Sequence, residues 1–460
     1  MLQYGEIQPV RQVRMATGIP RRRTAHRGPS PKVGTFAASR SGFQLMYEGK
    51  RAEGEILDTP SASIELVWPD SIERPNRLYF GDNLGVLAEL ARDNTLHGRV
   101  KLVYIDPPYA TGGVFQCRGQ RDAYDDCLTG PAFIEALRQR LVLIREVLAE
   151  DGSIYVHLDK NMAFGVKLVM DEVFGPNNFR NWITRKKCNP KNYTTKTYGN
   201  VADYLLFYSR SERFIWNRPI ERWTDERAAK EYEYIDAKGR YKKVPVHAPG
   251  VRNGETGKPW RGMVPPPGKH WQYRPSELDE MDKRGEIYWS QNGNPRRKVY
   301  LAESEGVAVQ DIWMDFKDAH NQNIRITGFP TEKNPALLRR IIEASSNPGD
   351  IVLDCFAGSG TTLAVAGEVG RKWIGVDNSL HALATMVRRL AHGTEPMGDF
   401  VGKRSRPSAV QRSLRLGAAG NDPVDFSLFT ADATLPVARL PATLEDLATA
   451  LNAHVQKSAG

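Results

Sequence analysis

Ile351-Val352-Leu353-Asp354-Cys355-Phe356-Ala357-Gly358-Ser359-Gly360-Thr361-Thr362 runs from an apolar strand through a glycine-bearing loop into a helical pattern. Glycines at 358 and 360 allow a tight turn and close approach of backbone to a ligand, and the N–H groups opening the helix favour an anionic group. Strand, loop and helix in this order indicate an open, mainly parallel α/β sheet, whose ligands bind outside the carboxyl ends of the strands where strand order reverses. A further strand, Trp373-Ile374-Gly375-Val376, ends in Asp377 and Asn378, and an acid there can accept from both hydroxyls of a ribose. A dinucleotide is conceivable at such a site. However, the spacing is Gly-x-Gly without a third glycine, no Walker lysine follows, and Asp354 repels a pyrophosphate while welcoming an ammonium. An amino-acid-bearing nucleoside is the better guest, and S-adenosylmethionine is one.

A second strand-end segment lies upstream, where the apolar run Leu102-Val103-Tyr104-Ile105 stops at Asp106-Pro107-Pro108-Tyr109. The prolines fix φ and remove backbone donors, which stiffens the loop and leaves the Pro107 carbonyl free to accept outward. Asp106 adds a second acceptor and Tyr109 a flat face, so the loop can hold a planar group by its edge-on N–H donors while stacking on its ring. The exocyclic amino group of a nucleobase fits. Alone, the tetrad is as readily a proline-stiffened turn capped by an acid. Two strand-end sites, however, imply one crevice between them.

These segments and their order resemble the amino-group (N6-adenine or N4-cytosine) DNA methyltransferases, in the permuted β-type subclass whose catalytic loop precedes the cofactor loop. Modification subunits of restriction-modification systems are of this kind. Phe80-Gly81-Asp82-Asn83-Leu84 resembles the family's upstream cofactor segment, Gly152 to His157 its next strand, and Tyr204 to Tyr208 its later hairpin. Thr331 to Pro335, followed by a helix to Asp350, resembles the segment covering the cofactor's methionine end. The likeness implies a class I (Rossmann-like) methyltransferase sheet with an inserted target-recognition domain. It implies a catalytic tetrad of Asp106, Pro107, Pro108 and Tyr109. The implied cofactor site is Asp82, Lys333, Asp354, Phe356, Ala357, Gly358, Ser359, Gly360, Thr361, Asp377 and Asn378. Departures are Ala110 and Cys355, where many relatives have Asn and Pro, and Glu332 with Lys333-Asn334-Pro335, where Gln and then Lys-Pro are common.

The implied reaction moves a methyl group from S-adenosylmethionine to the N6 of a flipped adenine, without a metal. Asp in the first tetrad position is typical of the adenine enzymes, and Ser of many cytosine-N4 enzymes. The alternatives are an N4-cytosine enzyme, an idle DNA-binding homologue and an RNA methyltransferase.

The chain has 460 residues and a net charge of +10, enough for a large α/β core with further parts and suited to a polyanionic partner. No apolar stretch reaches membrane-span length, which predicts a cytoplasmic protein. Cys117, Cys127, Cys188 and Cys355 form no Cys-x-x-Cys pair, and His157, His247 and His270 have no ligand spacing. Free thiols, packing or surface histidines and no metal site are expected. Residues 1–51 hold ten Lys/Arg against two Glu, a basic arm, and Lys403 to Arg415 form an acid-free basic run. The predicted division is a basic extension at 1–70, a catalytic half at 71–210, an insertion at 211–325, a cofactor half at 326–398 and a C-terminal extension at 399–460. Leu440 to Val455 has helical apolar spacing.

The insertion is rich in aromatic and basic residues, and base-stacking aromatics between phosphate-binding cations suit DNA. Candidate contacts are Lys242, Lys243, Arg261, Lys269, Trp271, Arg296 and Arg297. Arg185, Lys186 and Lys187 are added on a polar loop expected to stand over the cleft. Each Trp or Tyr is also a candidate for local core. Double-stranded DNA is the expected partner. A second copy of the chain and restriction or defence-system subunits are further candidates.

Overall fold

The computed structural model describes residues 44–69, 74–108, 114–117, 121–125, 130–189, 196–318, 325–327, 329, 332–396, 425–432, 435, 440–441 and 443–457. At 114–117, 121–125, 325–326, 395–396 and 457 only the backbone is described. Tyr109, most of the basic arm, the run Lys403 to Arg415 and the middle of the Asn189–Gly199 loop lie outside the described residues.

Ten strands build the main sheet: β1 (Glu65–Trp68), β2 (Asn76–Phe80), β3 (Val100–Ile105), β4 (Leu148–Leu158), β5 (Phe179–Lys186), β6 (Ala202–Ser209), β7 (Ile312–Trp313), β8 (Ile351–Asp354), β9 (Lys372–Asp377) and β10 (Phe426–Thr430). Their spatial order is β1-β10-β2-β9-β8-β3-β4-β6-β5-β7. From β10 to β4 every pairing is parallel, β1 and β6 run antiparallel to their inner neighbours, and β5 pairs antiparallel with β6. Strands buried on both faces must be apolar throughout, which is why Leu102 to Ile105 and Ile351 to Leu353 read as unbroken runs.

Alternate residues feed two cores. Leu102, Tyr104, Val352 and Phe207 face one, and Val103, Ile105, Leu353 and Tyr208 the other. The helices Pro335–Ser345, Thr361–Glu368, Leu380–His392 and Leu444–Lys457 cover the first face, while Asn83–Arg92, Gly130–Val147 and Ala163–Phe174 cover the second. The chain leaving β3 thus goes to one face and the chain leaving neighbouring β8 to the other. That divergence opens a crevice at the carboxyl ends of the two strands.

Three expectations are corrected. Within the predicted C-terminal extension, the described parts belong to the main fold: β10 lies between β1 and β2, and Leu447, Ala448 and Leu451 are buried in the first core. Likewise Ile56 and Trp68, inside the predicted basic extension, are core residues. Arg185 and Lys186 end strand β5 rather than lying in a loop, because half-buried strands alternate polar and apolar residues and read as polar.

Between β6 and β7 the chain forms a separate four-stranded antiparallel sheet in the order Tyr234–Asp236, Gly239–Pro245, Pro295–Tyr300, Ile287–Trp289. Its small core is Val246, Trp260, Trp271, Leu278, Met281 and Ile287. Among the described residues no helix is long and apolar enough to cross a membrane.

Candidate active site

Four adjacent parallel strands, β2, β9, β8 and β3, finish at the same edge, and each delivers an acid there: Asp82, Asp377, Asp354 and Asp106. Between the loops lies a cleft of about 540 Å³ whose walls include Asp82, Asp106, Pro107, Pro108, Lys333, Asp354, Phe356, Ala357, Gly358, Ser359, Thr361, Asp377 and Asn378. Two segments some 250 residues apart in sequence therefore share one chamber, because Leu102 and Val103 register against Val352 and Leu353.

The glycine loop is built by its conformation. Gly360 caps the Thr361–Glu368 helix at φ 70°, and a Cβ there would lie 2.7 Å from Met386 Cγ, so an L side chain is opposed by both strain and space. Asp377 ties the loop to β9: its Oδ2 accepts from Gly358 N at 2.8 Å and its Oδ1 from Ser379 N at 2.9 Å. Burial raises the Asp377 carboxyl above its usual range, against those backbone hydrogen bonds.

Asp354 is buried. Thr362 Oγ1 donates to its Oδ2 at 2.6 Å and Phe356 N to its Oδ1 at 3.0 Å. Burial pushes its carboxyl up to about 7, with repulsion from Asp106 and Asp377 adding to burial and the two hydrogen bonds opposing it. A carboxyl so reluctant to ionise gains from an arriving cation. That donor set, with the glycine cradle and an acid at the end of β9, fits an amino-acid-bearing nucleoside with a positive charge.

On the catalytic side, Lys333 Nζ lies 2.5 Å from Asp106 Oδ2. The lysine that the resemblance gave to the cofactor thus lines the cleft beside Asp106. Neighbouring Glu332 is buried against Arg389 and accepts from Thr327 N at 2.8 Å, which anchors this segment. The sequence reading missed Arg140, which pairs with Asp82 at 3.0 Å and with Asn83, and Phe133 and Leu137 on the same helix. Helical spacing alone cannot tell a cleft face from a core face. It also treated His157 as an ordinary histidine, whereas its Nδ1 lies 4.0 Å from Asp106 Oδ1.

Two candidate DNA contacts are corrected. Arg185 is fully buried, pairs with Asp203 at 2.8 Å and Asp318 at 2.6 Å, and cannot reach a phosphate. Trp271 is only 3% exposed in the insertion's core and donates its indole N–H to Lys258 O at 3.0 Å. Lys186 and Lys187 are half-buried, while Lys269 and Arg296 are exposed. Lys242 pairs with Glu231, and Arg261 with Asp279 and Asp282. Lys243 Nζ sits 3.5 Å from the ring centre of Tyr234 and 3.4 Å from that of Tyr288, and Arg297 lies over Tyr273.

A profile described as DNA methylase, of the N6/N4 group, matches residues 100–388. The chain belongs to the N6/N4 DNA methyltransferase family. This family uses S-adenosylmethionine, whose ammonium and sulfonium charges and ribose suit the donor set just described. The chain is 45% identical over 405 residues to "Type II methyltransferase M.EcaI" of Enterobacter cloacae, covering 86% of this chain and 88% of that one. It is 61% identical over 344 residues to "DNA adenine methyltransferase YhdJ" of Escherichia coli, covering 75% and 92%. With "Type III restriction-modification enzyme StyLTI Mod subunit" of Salmonella typhimurium it shares 26% identity over 70% of this chain and 55% of that one. As a family member the chain is a methyltransferase acting on DNA.

Proposed function

We propose that this methyltransferase places the methyl group on the exocyclic N6 of an adenine flipped out of duplex DNA. The observation that carries the reading is the end of β3, where Asp106 and Pro107 line the same cleft as Asp354, Gly358 and Asp377. Bound S-adenosylmethionine would supply an electrophilic methyl group. The chain's own work is at the nucleophile. An aromatic amino group is a poor nucleophile because its lone pair is delocalised into the ring. Asp106 and the Pro107 carbonyl accept hydrogen bonds from its two N–H groups, favour a tetrahedral nitrogen and stabilise the positive charge that develops on it. After transfer, Asp106, as acceptor at that nitrogen, takes the surplus proton. Asp354 answers the cofactor's cationic end and Asp377 its ribose, while Phe133, Leu137 and Phe356 supply apolar wall.

Adenine is favoured over cytosine by Asp at the first tetrad position and by likeness to a relative named for adenine. The insertion is assigned the reading of flanking bases, since its sheet carries Lys243 and Arg296 on one face, together with tyrosines for packing against DNA. A relative named as a modification subunit makes a nuclease subunit a candidate partner. The test is nucleoside analysis with base-resolved sequencing of DNA from cells expressing the chain. N6-methyladenine in one short context is the expected result, and N4-methylcytosine would replace the adenine assignment.

A further inference from the structure

Behind Asp106 lies a buried chain of charged groups for which methyl transfer, as described so far, has no use. Neighbouring strands build it: β3 contributes Tyr104, β4 His157, β6 Asp203 and β5 Arg185, with Arg185 in register opposite Asp203. The Tyr104 hydroxyl and His157 Nδ1 are 2.8 Å apart, and the same nitrogen is 4.0 Å from Asp106 Oδ1. On the other side of the ring, His157 Nε2 stands 3.0 Å from Asp203 Oδ2, an oxygen that also takes Arg185 Nη1 at 2.8 Å. Arg185 continues to Asp318 at 2.6 Å and donates its Nε–H to Phe316 O at 2.7 Å.

His157 and Arg185 are both fully buried. Burial pushes the Asp203 carboxyl up, yet the neighbouring His157 and the Arg185 and Lys333 charges outweigh it and hold the group well below the usual carboxylate range. Asp203 Oδ1 and His157 Nε2 are both buried without a hydrogen-bond partner among the described residues, so the 3.0 Å approach of Nε2 to Asp203 Oδ2 is a close polar contact. Well-packed apolar residues generally match or exceed the stability of such a buried ion chain. Its position against the strand end that carries the acceptor therefore points to alignment.

We propose that His157 is a positioning residue for Asp106: the Tyr104 hydroxyl and the Asp203–Arg185–Asp318 chain hold the imidazole between them, and its Nδ1 edge steadies the Asp106 carboxylate. Asp106 is then held from two sides, by Lys333 at Oδ2 and by His157 at Oδ1. The acceptor must meet a tetrahedral nitrogen in line with the incoming methyl, where small displacements cost rate steeply. The inference rests on the reading of Asp106 as acceptor at the target nitrogen.

The experiment compares four variants of the full chain in methyl transfer to DNA with calorimetry of S-adenosylhomocysteine: His157→Asn, His157→Gln, Tyr104→Phe and Asp106→Ala. Asn keeps a polar atom near the Nδ1 position, Gln one near Nε2. His157→Gln and Tyr104→Phe should lower kcat about 10–100-fold while KM for DNA and S-adenosylhomocysteine affinity stay within about twofold, and His157→Asn should keep most of the rate. A strut that only anchors Asp203 gives the reverse order, Gln above Asn, and overturns the proposal. So does a wild-type kcat in Tyr104→Phe, which leaves the ion chain intact and decides the matter even where the His157 variants do not fold. If Asp106→Ala is inactive while His157→Gln and Tyr104→Phe are normal, only this inference falls. If Asp106→Ala turns over normally, the acceptor reading falls with it.

Discussion

Arg185 and Arg296 are the same residue type near the ends of strands, and the molecule uses them in opposite ways. In the main sheet Arg185 is enclosed, and it pairs with the buried Asp203 and the part-exposed Asp318. In the insertion, a four-stranded sheet with a core of a few residues leaves Arg296 exposed beside the Lys243–Tyr234–Tyr288 stack. A basic residue is therefore informative about DNA only once its sheet is known. Under the proposed function the main sheet makes the chemistry, and the insertion is free to vary what is read.

The largest effect that tests this contrast is on folding. Arg185→Ala strips the buried Asp203 carboxylate of its guanidinium partner and should cost about 3–5 kcal/mol, seen as a lowered denaturant midpoint. Arg296→Ala should leave that midpoint unchanged. Equal stability of the two variants would erase the distinction.

Next in size is the glycine loop. Gly360→Ala forces a side chain into left-handed backbone against Met386, which should destabilise by about 1–3 kcal/mol. S-adenosylhomocysteine affinity should fall as well, whereas Gly293→Ala, also at positive φ but in open space within the insertion, should leave that affinity intact. Calorimetry on both variants reads the difference.

The pH dependence follows from Asp354. Burial raises this carboxyl to about 7 without ligand, so its neutral form is the favoured one in the empty fold. Stability from this group is complete below the unfolded value and declines as pH rises through about 7. Binding of a cationic group has the opposite sign, because it needs the carboxylate. S-adenosylhomocysteine affinity should be full above pH 7 and fall as pH drops, approaching about tenfold per unit. Asp354→Asn should flatten the profile. A wild-type affinity equal at pH 6 and pH 8 would remove Asp354 from the cofactor site.

The smallest effect sharpens the insertion's role. Arg296→Ala should either change which sites are methylated or weaken all DNA alike with a salt slope shallower by about one, the first marking a base contact and the second a phosphate contact. Cofactor affinity should not move. Unaltered specificity and unaltered DNA affinity would take Arg296 out of the interface.

The sequence made legible what is local or buried on both sides. Leu102 to Ile105 and Ile351 to Leu353 are strands in the fold because their unbroken apolar runs have no other use, and the acids that follow them face one cleft. Long-range placement was illegible. Nothing local in Phe426 to Thr430 says that it threads between β1 and β2, and nothing local in Glu53 to Leu57 says that Ile56 is core. Single polar letters were least legible of all. Arg185, Trp271 and His157 take their meaning from groups far along the chain or across the sheet, and Arg140 meets Asp82 only because two helices lie side by side.

The most direct test of the account is transfer of labelled methyl from S-adenosylmethionine to DNA by the wild type and by Asp106→Ala at equal, calorimetrically verified cofactor occupancy. The account predicts label on an exocyclic amino nitrogen with the wild type, and cofactor binding without transfer in Asp106→Ala. Comparable transfer by the variant, or label on a ring carbon, would contradict it.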